Sequence, residues 1–179
     1  MVVALGGRRI DLPDAEPPQF PVTNSDLVRH RIRAVFVARQ ATTLVCSAAC
    51  GADLLALQVA AELKMRFQVI LPFSIPRFRE KSVVDRGGDW GERYDRIVEE
   101  ARSAETLYVL DLPQSEDEAY REVNQAILAK AQAIGLEHGE AVGAVAVWNQ
   151  DDQGADDYTA AFVREARLRR IEILPVPTL

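Results

Sequence analysis

A run of small residues follows the apolar segment 42–46 and has the residue types needed to approach an anionic ligand. Ser47, Ala48 and Gly51 stand in this run, and an apolar helix is predicted to begin at Gly51. Small residues let the backbone turn tightly and let a ligand come close. A helix start offers free N–H groups and the positive end of its dipole, which suit phosphate. A βα connection without a ligand explains the same pattern, so both interpretations stay open.

Cationic side chains are concentrated in other predicted loops, although the chain has a net charge of −6. In an acidic protein, local positive charge indicates a phosphate-bearing ligand, because guanidinium groups bind phosphate through two parallel hydrogen bonds. The alternative is that these side chains are simply solvated. The residues concerned are Arg8, Arg9, Arg77, Arg79 and Lys81.

Four further residues at predicted strand or helix ends have polar or aromatic groups suited to a nucleotide. Asp53, in the first helical turn, either favours the helix dipole or accepts a hydrogen bond from a ribose hydroxyl or an exocyclic amine. Trp148 at a strand end is a candidate for stacking on a base, and otherwise a core aromatic. Asp111 and Asn149 are polar candidates that could equally begin turns.

Other kinds of chemistry find little support in the sequence. The chain contains neither the G-x-G-x-x-G fingerprint between strand and helix nor a P-loop, so a classical NAD enzyme is not expected. Two histidines, His30 and His138, are far apart, and no metal site or other cofactor is predicted. Cys50 precedes a helix start, where a thiolate would be stabilised, but such a residue is more often a small packing side chain.

The elements that must position these residues alternate between strand and helix. Short apolar segments at 2–5, 42–46, 67–71, 106–110, 142–148 and 171–176 are predicted as strands, separated by five helices. The helices are expected near 25–40, 51–64, 92–103, 116–134 and 157–169, with long loops at 6–21 and 72–91. This alternation predicts a three-layer α/β/α Rossmann-like fold with a mostly parallel six-stranded sheet. Ligands of such sheets bind beyond the carboxyl ends of the strands.

Length and composition favour one soluble globular domain spanning residues 1–179. Hydrophobic residues make up 48% of the chain and charged residues 27%. A sequence pI near 5.0 argues against general nucleic-acid binding, which usually shows a basic surface. No segment is long and apolar enough for a membrane span or a signal peptide, and two cysteines make no disulfide framework, so a cytoplasmic location is expected.

Several short motifs, taken in order and spacing, resemble one protein family over nearly the whole chain. They are Gly6-Gly7-Arg8-Arg9-Ile10-Asp11, Phe20-Pro21, Ser47-Ala48-Ala49-Cys50-Gly51-Ala52-Asp53, Leu71-Pro72-Phe73, Arg77-Phe78, Ser82-Val83, Trp90 with Arg93, and Ala146-Val147-Trp148-Asn149. This set resembles the SLOG superfamily of Rossmann-like domains, which includes the lysine-decarboxylase-like cytokinin-activating proteins and the DNA-processing protein A family.

The resemblance implies binding of a nucleotide or nucleotide-derived small molecule at the carboxyl ends of the strands, without turnover. Enzymatic members carry a Pro-Gly-Gly-x-Gly-Thr-x-x-Glu loop, and this chain has none, so no catalytic residue is assigned. Asp156 and Asp157 replace small residues before the last helix, where two carboxylates would repel phosphate. The full set of expected ligand-binding residues is Gly6, Gly7, Arg8, Arg9, Ser47, Ala48, Gly51, Asp53, Pro72, Arg77, Asp111, Trp148, Asn149 and Thr159.

Two other functions remain open from the sequence. One is an N-glycosidic hydrolase acting on a nucleoside monophosphate, for which Asp53, Asp111 or Asp157 would have to serve as the catalytic carboxylate. The other is a degenerate domain kept for protein–protein assembly, which predicts a sheet edge filled by side chains with no pocket. Self-association into a homodimer is compatible with either, and no membrane partner is expected.

Overall fold

The sheet of this protein is parallel throughout and has β1 near its centre. The computed structural model describes residues 1–112, 115–152, 154 and 157–179. Within them, six strands follow the order β4-β3-β2-β1-β5-β6, and every pairing between neighbours is parallel. The strands are β1 (Val2–Gly7), β2 (Thr43–Cys46), β3 (Arg66–Leu71), β4 (Leu107–Val109), β5 (Val142–Val147) and β6 (Glu172–Val176).

Helices cover both faces of this sheet, which confirms the expected three-layer α/β/α fold. They are α1 (Ser25–Ala38), α2 (Ala52–Glu62), α3 (Ile75–Ser82), α4 (Trp90–Ser103), α5 (Glu116–His138) and α6 (Tyr158–Leu168). The first four share one hydrophobic cluster, which includes Phe36, Leu54 and Phe78. The last two pack on the opposite face around Ile127 and Phe162. Buried apolar side chains on both faces explain why the strands are apolar runs.

The order of the strands reverses beside β1. The chain builds outward from β1 through β2 and β3 to β4, and then returns to place β5 and β6 on the other side. At such a reversal the connections leave in opposite directions and open a crevice at the carboxyl ends of the strands. The fold therefore places the loop after β2 and the starts of α5 and α6 around one point.

The two glycines predicted to end the first strand belong to it. Gly6 and Gly7 pair with Ala146 and Val147 of β5. A Cβ atom on Gly6 would lie 2.7 Å from the ring of Phe162, and one on Gly7 would lie 2.5 Å from the Cβ atom of Ala52. These glycines therefore let helices pack closely on the end of the strand.

Two helices differ from the sequence prediction: α3 was not expected, and α5 ends later than expected. The segment expected as a loop at 72–91 contains α3 and a short 3-10 helix, Val84–Arg86. Pro76 stands in the first turn of α3, where proline is tolerated. Helix α5 continues past residue 134, where the predicted helix ended, to a left-handed Gly139. Gly135 allows close packing, because a Cβ atom there would lie 2.5 Å from Val142 Cγ2.

Among the residues that the structure describes, none of the helices has the length and apolar character required to cross a membrane.

Candidate functional site

A cavity of about 290 Å³ opens at the carboxyl edge of the sheet, beside the point where the strand order reverses. We call it the carboxyl-edge cavity. Its floor comes from the end of β1, one wall from the β2–α2 loop and α3, and the other from the first turns of α5 and α6. Its lining consists of Leu5, Gly6, Gly7, Arg9, Ser47, Ala49, Asp53, Phe78, Lys81, Ser82, Glu116, Tyr120, Val123, Asn124, Ile127, Tyr158 and Thr159.

Four polar side chains in this lining are more than nine-tenths buried, those of Ser47, Asp53, Ser82 and Thr159. Ser47 is 8% exposed, and its Oγ atom has no hydrogen-bond partner among the described residues. Asp53 is 7% exposed, and one carboxylate oxygen accepts a hydrogen bond of 3.1 Å from the backbone N–H of Ala49. Buried polar groups are normally paired, because an unpaired one keeps its desolvation penalty. The Ser47 hydroxyl is therefore available to a molecule that enters the cavity.

The carboxyl group of Asp53 has a pKa well above the ordinary value for an aspartate. Burial raises the pKa of Asp53 to about 7, and the Ala49 N–H and the charge of Arg9 oppose that rise. Burial dominates because a charged carboxylate loses its hydration inside the protein. The group thus changes charge near neutral pH while facing the cavity.

Aromatic rings give the cavity flat, partly apolar walls. Phe78 and Tyr120 both line it. The hydroxyl of Tyr120 lies 2.6 Å from Ser82 Oγ, and its ring centroid is 5.1 Å from that of Tyr158. Asn124 of α5 donates a 2.9 Å hydrogen bond to the carbonyl of Tyr158 and so links α5 to α6. This wall offers π-faces for a planar ring and is fixed by hydrogen bonds from helix to helix.

The start of α2 does not present the free N–H groups that the sequence led us to expect. The N–H of Ala52 donates a 3.1 Å hydrogen bond to the carbonyl of Arg8. Gly51 has φ of +102°, and a Cβ atom there would lie 2.8 Å from the backbone nitrogen of Ile10. Gly51 is therefore needed for the close approach of two backbone segments, and it does not line the cavity.

The starts of α5 and α6 are also occupied by acceptors from the chain itself. Ser115 and Glu118 form a capping box at α5. Asp157 caps α6 by accepting a 2.9 Å hydrogen bond from the N–H of Ala160. Asp156, the other member of the predicted carboxylate pair, lies outside the described residues. These caps leave the cavity's own side chains as the polar partners for a ligand.

The cations near the cavity each pair with a carboxylate. Arg9 lines the cavity and forms an ion pair with Asp85. Lys81 Nζ lies 3.2 Å from Glu116 Oε1, and both residues line the cavity. The positive charge expected in this region is therefore present but balanced by acidic neighbours.

Two of the predicted cations, Arg8 and Arg77, are not part of the cavity lining. Arg8 Nη2 lies 2.6 Å from Asp157 Oδ2. The same atom donates a hydrogen bond of 2.8 Å to the carbonyl of Asp151. Arg77 places its guanidinium 3.9 Å from the centroid of the Phe73 ring. Neither side chain lines the cavity, so neither meets a ligand bound there.

Six of the expected ligand-binding residues line the cavity and eight do not. Those that line it are Gly6, Gly7, Arg9, Ser47, Asp53 and Thr159. Of the others, Trp148 is buried in the core under α5 and α6. Asn149 binds the N–H groups of Thr178 and Leu179 and the carbonyl of Gln19. The remainder, outside the cavity lining, are Arg8, Ala48, Gly51, Pro72, Arg77 and Asp111.

Sequence reasoning missed most of the residues that α3, α5 and α6 contribute to the lining. Ser82, Tyr120, Asn124 and Tyr158 come from α3, α5 and α6. The available signal was polar or amphipathic residues on the inward face of a helix, in the turns nearest the carboxyl edge. Tyr120 and Tyr158 recur at helical spacing with apolar residues such as Val123 and Phe162, and their hydroxyls could have marked them as lining a cavity.

Cys50 does not have the character of an activated thiol. Burial raises the pKa of the Cys50 thiol, and the nearby charge of Arg9 only partly offsets this rise. Burial also raises the pKa of Cys46. Both thiols are fully buried, so the thiolate expected at the start of α2 is not stabilised. Within the described parts of the chain, no group of three His, Cys, Asp or Glu residues is placed to hold a metal ion.

Comparison with known proteins identifies a fold neighbour at low similarity. No protein-family model matches the chain, and no curated protein matches it. Among solved structures, the chain is similar to the X-ray structure of DNA processing protein A from Streptococcus pneumoniae, with 12% sequence identity and a TM-score of 0.44. The match covers 99% of this chain and 58% of the other, so the chain spans little more than half of that protein's length.

Proposed function

We propose that this chain is a SLOG-type Rossmann-like domain that binds a nucleotide or nucleotide-derived small molecule in the carboxyl-edge cavity without turning it over. The observation that carries the proposal is the buried, unpaired hydroxyl of Ser47, which lines the cavity together with the buried carboxyl of Asp53. Unpaired buried polar groups cost stability and persist where a function uses them.

The size of the cavity favours a ligand with one nucleoside. Small-molecule sites generally enclose about 300–1,000 Å³, and this cavity, at about 290 Å³, lies at the lower limit. A dinucleotide would not fit inside it, which agrees with the absence of a dinucleotide fingerprint from the sequence.

The chemistry of the lining suits a base and a ribose. Phe78 and Tyr120 offer ring faces, which stack on any base. Ser47 and Asn124 provide side chains that can both donate and accept hydrogen bonds. Asp53 accepts hydrogen bonds when ionised and donates one when protonated, so it pairs with either edge of a base or with a ribose hydroxyl.

The matched test compares two deletions of an unpaired buried hydroxyl. Ser47→Ala removes the hydroxyl in the cavity, and Thr43→Val removes an equally unpaired hydroxyl at the opposite edge of the sheet. Isothermal titration with nucleosides, nucleoside monophosphates and ADP-ribose is expected to show binding by the wild type and weaker binding by Ser47→Ala. Thr43→Val is expected to bind as the wild type does. Absence of binding by every probe, or equal losses in both variants, would contradict the proposal.

A second candidate function, hydrolysis of an N-glycosidic bond, is favoured by one observation. Asp53 lines the cavity with a pKa near 7, which suits a general acid at neutral pH. Asp111 and Asp157, the other carboxylates considered, do not line the cavity. Chromatography of each titrated mixture discriminates the two functions, since a hydrolase releases free base and loses that activity in Asp53→Asn, whereas a sensor leaves the nucleotide intact.

The assembly hypothesis makes a different prediction about the same edge of the sheet. It expects side chains to fill the mouth, whereas the described residues leave a cavity there. An assembly domain would show no thermal shift with any nucleotide. A ligand at a hundred times its dissociation constant adds about 2.7 kcal/mol of stability, which a thermal-shift measurement detects readily.

A further inference from the structure

A groove of about 560 Å³ adjoins the carboxyl-edge cavity. The two share Gly7, Arg9, Tyr158 and Thr159 in their linings, so one ligand can extend from the cavity into the groove. Arg8, Arg9 and Arg86 all line this groove, and we call it the arginine groove.

The guanidinium groups in the arginine groove have unused hydrogen-bonding capacity. The Nε atoms of Arg8 and Arg9 are buried and have no hydrogen-bond partner among the described residues, and the buried Nε atom of Arg86 has an ion-pair contact of 3.4 Å with Asp85 but no hydrogen bond there. Guanidinium groups are weakly hydrated and present their N–H donors in a rigid fork that fits phosphate oxygens. The lining also contains Asp14 and Asp11, whose Oδ2 atom already accepts hydrogen bonds from the N–H groups of Gln19 and Phe20. Three guanidinium groups in one groove nevertheless indicate a place for an anionic oxygen-rich group.

The carboxylate of Asp85 contacts two of these arginines, Arg9 and Arg86. Asp85 binds Arg9 through Oδ1, and its Oδ2 atom lies 3.4 Å from Arg86 Nε. The Asp85 side chain is 37% exposed and belongs to the short 3-10 helix Val84–Arg86. That helix is followed by Gly87 and Gly88, both with positive φ. An exposed carboxylate on a short segment can therefore leave the two arginines when a stronger anion arrives.

Arg8 differs from the other two arginines because its partner is buried. Its carboxylate partner, Asp157, is fully buried and also caps α6. Displacing Asp157 would break that cap and leave a buried charge, which is costly. Arg9 and Arg86 are therefore the arginines whose carboxylate partner can be exchanged for another anion, whereas Arg8 keeps Asp157 as its partner.

We propose that the arginine groove binds the phosphate portion of the ligand, with Arg9 and Arg86 as its partners and Asp85 as an internal competitor that the phosphate displaces. This inference rests on the proposed function, in which the nucleoside part occupies the carboxyl-edge cavity. The ligand class is then a nucleoside carrying one or more phosphate groups, rather than an uncharged nucleoside. Positions beyond the first phosphate have room, because the groove is larger than the cavity.

The test varies the phosphate and the competitor separately. Isothermal titration uses adenosine, AMP, ADP and ATP, the matching guanosine series, and inorganic pyrophosphate. Asp85→Asn is expected to raise the affinity for phosphorylated probes about tenfold and Arg86→Gln to lower it about tenfold, as the gain or loss of one charged hydrogen bond implies. Neither variant is expected to change nucleoside binding. The control is Asp89→Asn, which removes the same charge from a carboxylate that pairs with Arg93 outside the groove.

The outcomes separate this inference from the proposed function. Nucleoside binding that gains nothing from phosphate and does not respond to Asp85→Asn would overturn the arginine groove and leave the cavity as the site. Equal effects of Asp85→Asn and Asp89→Asn would also overturn it, since they would reflect net charge alone. Pyrophosphate binding that strengthens in Asp85→Asn and weakens in Arg86→Gln supports the groove even if every nucleoside fails to bind. Circular dichroism of each variant verifies that it is folded.

Discussion

The guanidinium of Arg8 lies 2.6 Å from the carboxylate of Asp157, and the other oxygen of that carboxylate caps α6. One fully buried carboxylate therefore joins the segment after β1 to the start of α6. The resemblance of the sequence to nucleotide-binding domains had cast this aspartate as a group that would repel phosphate. Its charge is instead matched by Arg8 inside the protein, which makes it a structural link between two elements of the site.

Replacing this buried carboxylate should be costly. Asp157→Ala is expected to lower the free energy of unfolding by about 3–5 kcal/mol, because it leaves the Arg8 charge without its partner and removes the cap of α6. Asp157→Asn keeps an oxygen for the Ala160 N–H and should cost less. Urea denaturation of the three proteins measures these differences.

A matched control uses an exposed pair with the same separation. Arg164 and Asp152 are also 2.6 Å apart, but both side chains are about half exposed. Asp152→Ala should change the free energy of unfolding by less than about 1 kcal/mol, as is typical of surface ion pairs. If Asp157→Ala cost no more than Asp152→Ala, the buried link would have no energetic importance.

The raised pKa of Asp53 predicts a stability that depends on pH. The carboxyl holds a proton in the folded protein up to a pKa of about 7, but in the unfolded chain only up to its ordinary value of 3.8. The folded state therefore binds more protons between these values, and the free energy of unfolding falls as pH rises from about 4 to about 7. At about 1.4 kcal/mol per pKa unit, the loss is up to about 4 kcal/mol.

Asp53→Asn removes this dependence while keeping an oxygen for the Ala49 N–H. The variant should match the wild type near pH 4 and become progressively more stable than it toward pH 8. Chemical denaturation at several pH values gives the difference directly. Glu99→Gln, at a side chain 72% exposed on α4, serves as the control and should follow the wild type. A constant difference between Asp53→Asn and the wild type across this range would contradict the prediction.

The glycines at the end of β1 should tolerate no side chain. Gly7→Ala would place a methyl group 2.5 Å from Ala52 Cβ and 2.7 Å from Val147 Cβ, atoms fixed to two backbones. Overpacking of this kind costs about 1–3 kcal/mol. Gly6→Ala meets the ring of Phe162, so it should be rescued in part by Phe162→Leu. Thermal unfolding of the single and double variants measures the coupling, and strictly additive effects would show that Gly6 and Phe162 do not constrain each other.

Asn149 should affect the fold and leave ligand affinity unchanged. Its Oδ1 atom accepts hydrogen bonds of 2.8 and 3.0 Å from the N–H groups of Thr178 and Leu179, and its Nδ2 atom donates one of 3.0 Å to the carbonyl of Gln19. Asn149→Ala should lower the free energy of unfolding by about 1–3 kcal/mol. Titration with whichever nucleotide binds best should give the wild-type affinity, whereas a loss of affinity in the folded variant would return Asn149 to the ligand site.

The fold could be predicted largely from hydrophobic periodicity. Most strands are apolar runs because the sheet is covered on both faces, and α2 is apolar nearly all round because it packs on the sheet between α1 and α4. Helix α3 escaped prediction for the opposite reason. Within its eight residues only Phe78 and Ser82 are buried, so it carries almost no apolar pattern, and Pro76 suggests a break.

The lining residues that could be predicted lie at or just after the ends of β1 and β2, or in the first turns of α2 and α6. Ser47 and Asp53 follow β2 directly, and their types and place in the chain suffice to select them. Tyr120 and Asn124 reach the cavity because α5 folds back over β1 and β2, which depends on a strand order that one sequence does not reveal. The inward direction of Trp148 depends likewise on how β5 sits between β1 and β6.

The close approach of two backbone segments at Gly51 reduces the conformational entropy that the protein loses when a ligand binds. Arg8 and Ile10 exchange backbone hydrogen bonds with Ala52 and Cys50, at 3.1 and 3.4 Å, so the segment after β1 and the start of α2 are fixed to each other before anything binds. Binding loses affinity whenever it must freeze loops or side chains. On this side of the cavity that entropy has already been lost during folding. In the binding proposed for the arginine groove, the remaining ordering cost falls on the Asp85 segment, because Asp85 has to leave Arg9 and Arg86 before a phosphate can take its place.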